Sequence, residues 1–127
     1  MKPGKTGLSR LLDATGYSAK GIRACWRQEA AFRQEVALVI VLLPLSFMVA
    51  RSVEQWLLLV LPLILLLVVE LLNTAIENVV DRIGNEHNNL SGQAKDMGSA
   101  AVLFSLLTAA CSWIGITWKN FGPGLSG

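Results

Sequence analysis

Stretches without charge divide the chain. Between the Arg33–Glu35 and Arg51–Glu54 flanks, the 15 residues from Val36 to Ala50 carry none. A hydrocarbon core takes about 20 helical residues. Gln34 and Arg51 can snorkel and lengthen the usable helix by a turn, so this run predicts a first transmembrane helix over about 36–51. A second uncharged run, Gln55 to Val69, continues without Gly or Pro through Glu70 to Val80, predicting one long helix over 55–82 whose far end turns polar. Met97 to Trp118 gives a third run of 22 residues, a helix over 97–118. Pro44 and Pro62 lie inside apolar helices, where each removes a backbone donor and favours a kink.

Ahead of these runs, Leu8, Leu11, Leu12, Ile22, Trp26 and Ala30 fall broadly on one side of a helix, with Gly16 and Gly21 expected to break it in two. Residues 1–35 hold seven Lys/Arg (Lys2, Lys5, Arg10, Lys20, Arg23, Arg27, Arg33) against three acids (Asp13, Glu29, Glu35), the pattern of an amphipathic helix on an anionic membrane surface. The positive-inside rule puts the N-terminus in the cytoplasm, the 51–54 turn outside and the 83–96 loop back inside. The expected fold is thus an all-α membrane protein: a cytoplasmic surface region over 1–35 and a three-helix transmembrane domain over 36–127, forming one functional unit. Along the third helix Gly98, Ala101, Ser105, Thr108, Ser112 and Gly115 make a heptad stripe of small residues, which lets helices approach closely in lipid. Three helices make a thin bundle, so the stripe predicts an oligomer, with packing inside one chain as the alternative.

Composition narrows the class. In 127 residues, 53% are apolar and 16% charged, and the mean hydropathy is +0.50. These values exclude a disordered chain, a disulfide scaffold and an ordinary cytosolic enzyme. A net charge of +2 without a basic, aromatic-laced stripe argues against a nucleic-acid partner. Cys25 and Cys111 lie far apart with no C-x-x-C spacing and read as packing residues. Charges ahead of the first apolar run, and no small-residue cleavage site, predict that no signal peptide is removed.

The candidate chemistry gathers where the second helix leaves the bilayer. Glu70, Asn73, Thr74, Glu77 and Asp81 fall at i, i+3, i+4, i+7 and i+11, on one helical face. Glu70 directly follows an apolar run, and an ionisable group at that depth is costly enough to mark function; the structural alternative is a protonated carboxyl bonded to a neighbouring helix. Glu29, Arg33 and Glu35 on the surface stretch, and Glu86, His87, Lys95 and Asp96 in the loop, would meet this stripe at one membrane face. Paired carboxylates with room for water suit Mg²⁺ bridging to phosphate oxygens, and Lys95 would offset phosphate charge. Phosphoryl transfer requires positioning and charge neutralisation, with no obligatory Walker loop. Gly16 to Gly21 has the spacing of such a loop but is followed by Ile22-Arg23, so the motif fails. His87, the sole histidine, reads as a solvated loop residue, Asn89-Leu90-Ser91 as a chance sequon, and Trp26, Trp56, Trp113 and Trp118 as an interfacial belt.

Three strings carry a resemblance: E-A-A-F-R-Q-E from Glu29 to Glu35, V-E-L-L-N-T-A-I-E-N-V-V-D-R-I-G from Val69 to Gly84, and L-S-G-Q-A-K-D-M-G-S-A-A-V from Leu90 to Val102. Together they closely resemble the small integral-membrane diacylglycerol kinases of Gram-negative bacteria. The resemblance implies an inner-membrane homotrimer with active sites shared between subunits, and ATP-dependent phosphorylation of diacylglycerol to phosphatidic acid. It implies that Glu70 is the catalytic base, that Asn73 orients the site, and that Glu29 and Glu77 ligate the Mg²⁺ that holds ATP. Further nucleotide contacts are implied for Arg10, Tyr17, Glu86, Asn88, Lys95 and Asp96. Lipid contacts are implied for Ala31, Phe32, Arg33, Gln34, Glu35, Glu70, Ser99 and the segment from Trp113 to Trp118. In the loop the family often has an aromatic and then His after the glutamate, whereas here Glu86 is followed by His87 and Asn88.

A base beside the bilayer makes sense if the nucleophile is a lipid hydroxyl and ATP arrives from the basic cytoplasmic face. Two other readings compete. An undecaprenol kinase shares the second-helix motif, but Met97-Gly-Ser-Ala-Ala favours diacylglycerol over it. A proton-coupled transporter using Glu70 as carrier would not need the Glu29 and Lys95-Asp96 clusters.

Overall fold

The computed structural model describes residues 6–84 and 88–124. Four helices follow one another: α1 (Gly7–Gln28), α2 (Ala30–Val49), α3 (Val53–Ile83) and α4 (Asn89–Phe121). The last three are each long and apolar enough to cross a membrane. At 1.5 Å per residue α3 spans about 46 Å, well beyond a hydrocarbon thickness of about 30 Å. A helix of that length that spans the hydrocarbon leaves its polar end outside it.

The boundaries differ from the sequence reading in three places. Helix α1 runs unbroken through Gly16 and Gly21; a glycine costs a helix only about 1 kcal/mol, too little to stop one. The break falls instead at Glu29, an extended residue (φ −118°, ψ 111°) that ends α1 and precedes α2. Arg33 holds the break: its Nη1 donates to Trp26 O at 2.5 Å and to Arg27 O at 3.4 Å, satisfying carbonyls that α1 leaves open at its end. Consequently the first spanning helix starts at Ala30 rather than 36. Residues 89–96, expected in a loop, belong to α4. Asn88 starts that helix early, its Oδ1 accepting from Leu90 N at 2.8 Å and Ser91 N at 3.2 Å.

Packing centres on an antiparallel α3–α4 pair, with α2 against α3 and α1 laid across α2 and α3. Leu59, Leu63 and Leu66 form the most deeply buried face of α3. Opposite, α4 offers small residues, with Gly98, Ser105 and Ala109 buried. The stripe is thus divided, because Ala101, Thr108 and Gly115 stay exposed within the chain. At the end away from Glu70, buried Asn120 donates to Val49 O and Gln55 Oε1, both at 2.8 Å, and Trp113 Nε1 donates to Leu59 O at 3.0 Å. These bonds tie α2, α3 and α4 together. Large apolar side chains such as Phe47, Met48, Phe104 and Ile114 point outward, an arrangement suited to lipid and costly in water.

Candidate active site

Helix α3 sets the site. The sequence places Glu70 a turn beyond the buried leucines, and the structure buries it to 3% exposure. Asn73, one turn on, donates from Nδ2 to Glu70 Oε2 at 3.4 Å. Thr74 is buried on the same face and accepts a 3.5 Å hydrogen bond from Cys25 Sγ of α1. Burial pushes the Cys25 thiol up; the Thr74 bond opposes this, and the charges of Glu70, Glu29 and Glu35 add to the rise. Cys25, read from sequence as packing alone, thus seats α1 beside the Glu70 face of α3. No sequence signal distinguishes the two roles, because the contact is made only when α1 folds across α3.

Two further carboxylates converge. Glu35, 8% exposed, is close enough to Glu70 for their charges to interact. Glu77 lies within hydrogen-bonding reach of Glu29, at the α1–α2 break. Among the described residues, the buried side-chain polar atoms without a partner are Glu35 Oε2, Asn73 Oδ1, Glu77 Oε1 and Trp56 Nε1. The first three belong to side chains facing Glu70 or one another. Natural proteins leave few such groups open unless something else completes them.

The chemistry of this donor set suits Mg²⁺. Glu29 and Glu77 are two neighbouring carboxylates, and Glu77 Oε1 is buried with no hydrogen-bond partner. Magnesium is commonly held by one or two carboxylates, with water and substrate phosphates filling the rest. Consistent with so sparse a set, no group of three or more His, Cys, Asp or Glu side chains is arranged to hold an ion among the described residues.

Other candidates are placed as follows. Lys95 pairs with Asp81 at 2.7 Å, both side chains solvent-accessible, so the expected phosphate counter-charge already has an acceptor on α3. Asp96 and Ser99 are exposed on α4, within a turn of Gly98. Asn88 spends its side-chain oxygen on capping α4. Arg10 and Tyr17 are exposed along α1, with Lys20 Nζ 5.9 Å from the Tyr17 ring centre. Glu86 lies outside the described residues. In the 31–35 stretch Phe32 and Glu35 are buried, Ala31 and Gln34 exposed, and Arg33 is engaged at the α1 terminus. The structure does not bring Trp113 and Trp118 to this cluster. Trp113 bonds Leu59, which is about 17 Å along α3 from Glu70 at 1.5 Å per residue. Both tryptophans line an open apolar groove of about 550 Å³ with Ile114, Thr117 and Phe121.

Comparison with known proteins finds relatives along most of the chain. A family model described as prokaryotic diacylglycerol kinase matches residues 16–117. The diacylglycerol kinase of Escherichia coli is 47% identical over 117 residues, covering 92% of this chain and 96% of that one. That of Pseudomonas aeruginosa is 49% identical over 110 residues (87% and 89%), and that of Haemophilus influenzae 42% over 111 (87% and 94%).

Proposed function

The chain belongs to the prokaryotic diacylglycerol kinase family of lipid kinases, and from that premise we propose that it transfers the γ-phosphoryl group of ATP to the free hydroxyl of diacylglycerol, giving phosphatidic acid. The observation that carries this reading is the buried Glu70 carboxylate, steadied by Asn73, with the Glu29–Glu77 pair further along the polar end of α3. Glu70 is the general base. Asn73 Nδ2 occupies one carboxylate oxygen and leaves the other to take the hydroxyl proton. The lipid oxygen then forms its bond to the γ-phosphorus, the β–γ bridging P–O bond breaks, ADP departs with the electron pair, and the proton leaves Glu70 for water. Glu29 and Glu77 would hold Mg²⁺, which when bound neutralises charge on the phosphate oxygens. Burial at the base keeps bulk water out while the phosphoryl group moves, so the lipid hydroxyl competes with little else for it, and water reaches the proton on Glu70 only as the products leave.

The same reading places the protein in the cytoplasmic membrane with its N-terminus inside. Helix α1 lies on the surface: Leu8, Leu11, Leu12 and Trp26 are exposed along it beside Arg10, Lys20, Arg23 and Arg27, an arrangement that favours an anionic interface. Three copies assemble, supported by the exposed small residues Ala101, Thr108 and Gly115 on α4, and neighbouring copies complete each site. Arg10, Tyr17, Lys95 and Asp96 would meet the nucleotide, and the 31–35 stretch and Ser99 the lipid.

Radiolabelled phosphate transfer by the purified protein in mixed micelles tests the proposal. Diacylglycerol is expected to be labelled in preference to undecaprenol. Preference for undecaprenol would reassign the substrate, and ATP turnover that is absent or independent of lipid would favour a transporter.

A further inference from the structure

Gly98 of α4 faces the polar stripe of α3 at the level of Asn73. It is buried, and a Cβ added there would overlap Asn73 Oδ1 and lie 3.2 Å from Asn73 Cγ. Gly92 and Gly115 on the same helix meet nothing within 4 Å of such an atom, so this approach is not a general consequence of glycine on α4. Asn73 Oδ1 is itself buried with no hydrogen-bond partner, while its Nδ2 donates to Glu70 Oε2. Reversing the amide would turn its oxygen toward a carboxylate, so electrostatics fixes the assignment. In the retained orientation a Gly98 Hα points at Oδ1, a weak C–H donor where no stronger one is present.

We infer that Gly98 is a positioning residue for phosphoryl transfer: by presenting bare backbone to Asn73 it lets that side chain lie against α4 with its amide on Glu70. The inference rests on the reading of Glu70 as the base. A methyl group at 98 would meet the tip of a side chain rather than main chain, so Asn73 would swing aside while the helices stay in place. Glu70 would then lose the bond that holds it.

Four proteins test this: wild type, Gly98→Ala, Asn73→Ala and the double variant, each assayed for phosphate transfer from ATP to diacylglycerol and for thermal midpoint. A hydrogen bond to a charged group is worth enough to set the expected loss in kcat at about 10- to 100-fold for Gly98→Ala, with KM for ATP and for diacylglycerol unchanged. Asn73→Ala should fall by a similar factor. The double variant should be no worse than Asn73→Ala, because the obstructed side chain is gone. A Gly98→Ala protein as active as wild type, or a double variant losing the product of both single effects, overturns the inference while leaving the kinase reading intact. Wild-type protein that phosphorylates no lipid overturns both. Should Gly98→Ala fail to insert, a folded double variant supports the contact, and an unfolded one refutes it by showing that Gly98 is needed for packing unrelated to Asn73.

Discussion

Replacing Glu70 by glutamine separates its charge from its shape. The amide has nearly the volume of the carboxylate, and its oxygen can still accept from Asn73 Nδ2, the partner that meets Glu70 at 3.4 Å. Packing beside Thr74 and Cys25 is therefore kept. Removing the negative charge also relieves its repulsion with Glu35, whose Oε2 has no partner, so stability should hold or rise. What disappears is the ability to take a proton. Loss of a general base costs about 10² to 10⁴ in rate, which is about 3 to 5 kcal/mol of barrier at 1.36 kcal/mol per tenfold. The assay is initial-rate phosphate transfer in mixed micelles at saturating ATP, Mg²⁺ and diacylglycerol, with circular dichroism and thermal midpoint recorded on the same preparation. The expected result is a kcat lowered by that factor in a protein that melts no earlier than wild type. A kcat within tenfold of wild type, or a loss that disappears when lipid is raised, would refute the assignment of Glu70 as base.

Three more outcomes follow from the geometry. Glu77→Gln removes the carboxylate whose buried Oε1 lacks a partner; the Mg²⁺ concentration for half-maximal transfer should rise at least tenfold, and an unshifted titration would take Glu77 out of the ion's shell. Arg33→Ala frees the carbonyls of Trp26 and Arg27 and should loosen the end of α1 by about 1 kcal/mol, seen as amide exchange about fivefold faster in that turn; unaltered exchange would mean that Arg33 does not hold the break. In a Cys111→Ala protein, maleimide should label Cys25 slowly even at pH 9.0, because burial raises the folded thiol above that ordinary value. The unfolded thiol ionises first, so the thiol's contribution to stability is complete below that pH and is lost as pH climbs through the folded value. Labelling as fast as in denatured protein would contradict the burial of Cys25.

How much of this was legible in the sequence depends on the range over which each feature is decided. Three spanning helices follow from charge-free runs, and the polar face of α3 follows from helical spacing, because both are local. Thus Glu70, Asn73 and Glu77 could be aligned without coordinates. The break at Glu29 was not legible, since no glycine or proline marks it; it depends on Arg33 reaching back to α1. Conversely, Gly16 and Gly21 suggested a break that a helix-favouring context overrides. Residues 89–96 read as loop because they are polar, although polarity there means only that α4 has left the bilayer. Glu35 was expected to meet the stripe at one membrane face, but which of its members it faces, Glu70, needed the crossing of α2 and α3. The pairing of Lys95 with Asp81 likewise depends on how α4 lies against α3.

The site depends on that one extended residue. If α1 and α2 formed a continuous helix from Gly7 to Val49, α1 would follow the α2 axis rather than cross α3. Cys25 would then stand about 6 Å beyond Glu29 along that axis and lose its bond to Thr74. Because residue 29 is extended, α1 crosses α3 instead, and the residue that makes the turn delivers its own carboxylate to Glu77. Depth and chemistry are thereby joined. On the proposed reading, Glu70, just beyond the buried leucines, would meet the lipid hydroxyl, and Glu77, two turns onward where α3 becomes polar, would face the nucleotide. A surface helix that merely anchored the protein would have no need to bury a cysteine against the stripe. That burial is the physical reason to treat α1 as one wall of the site.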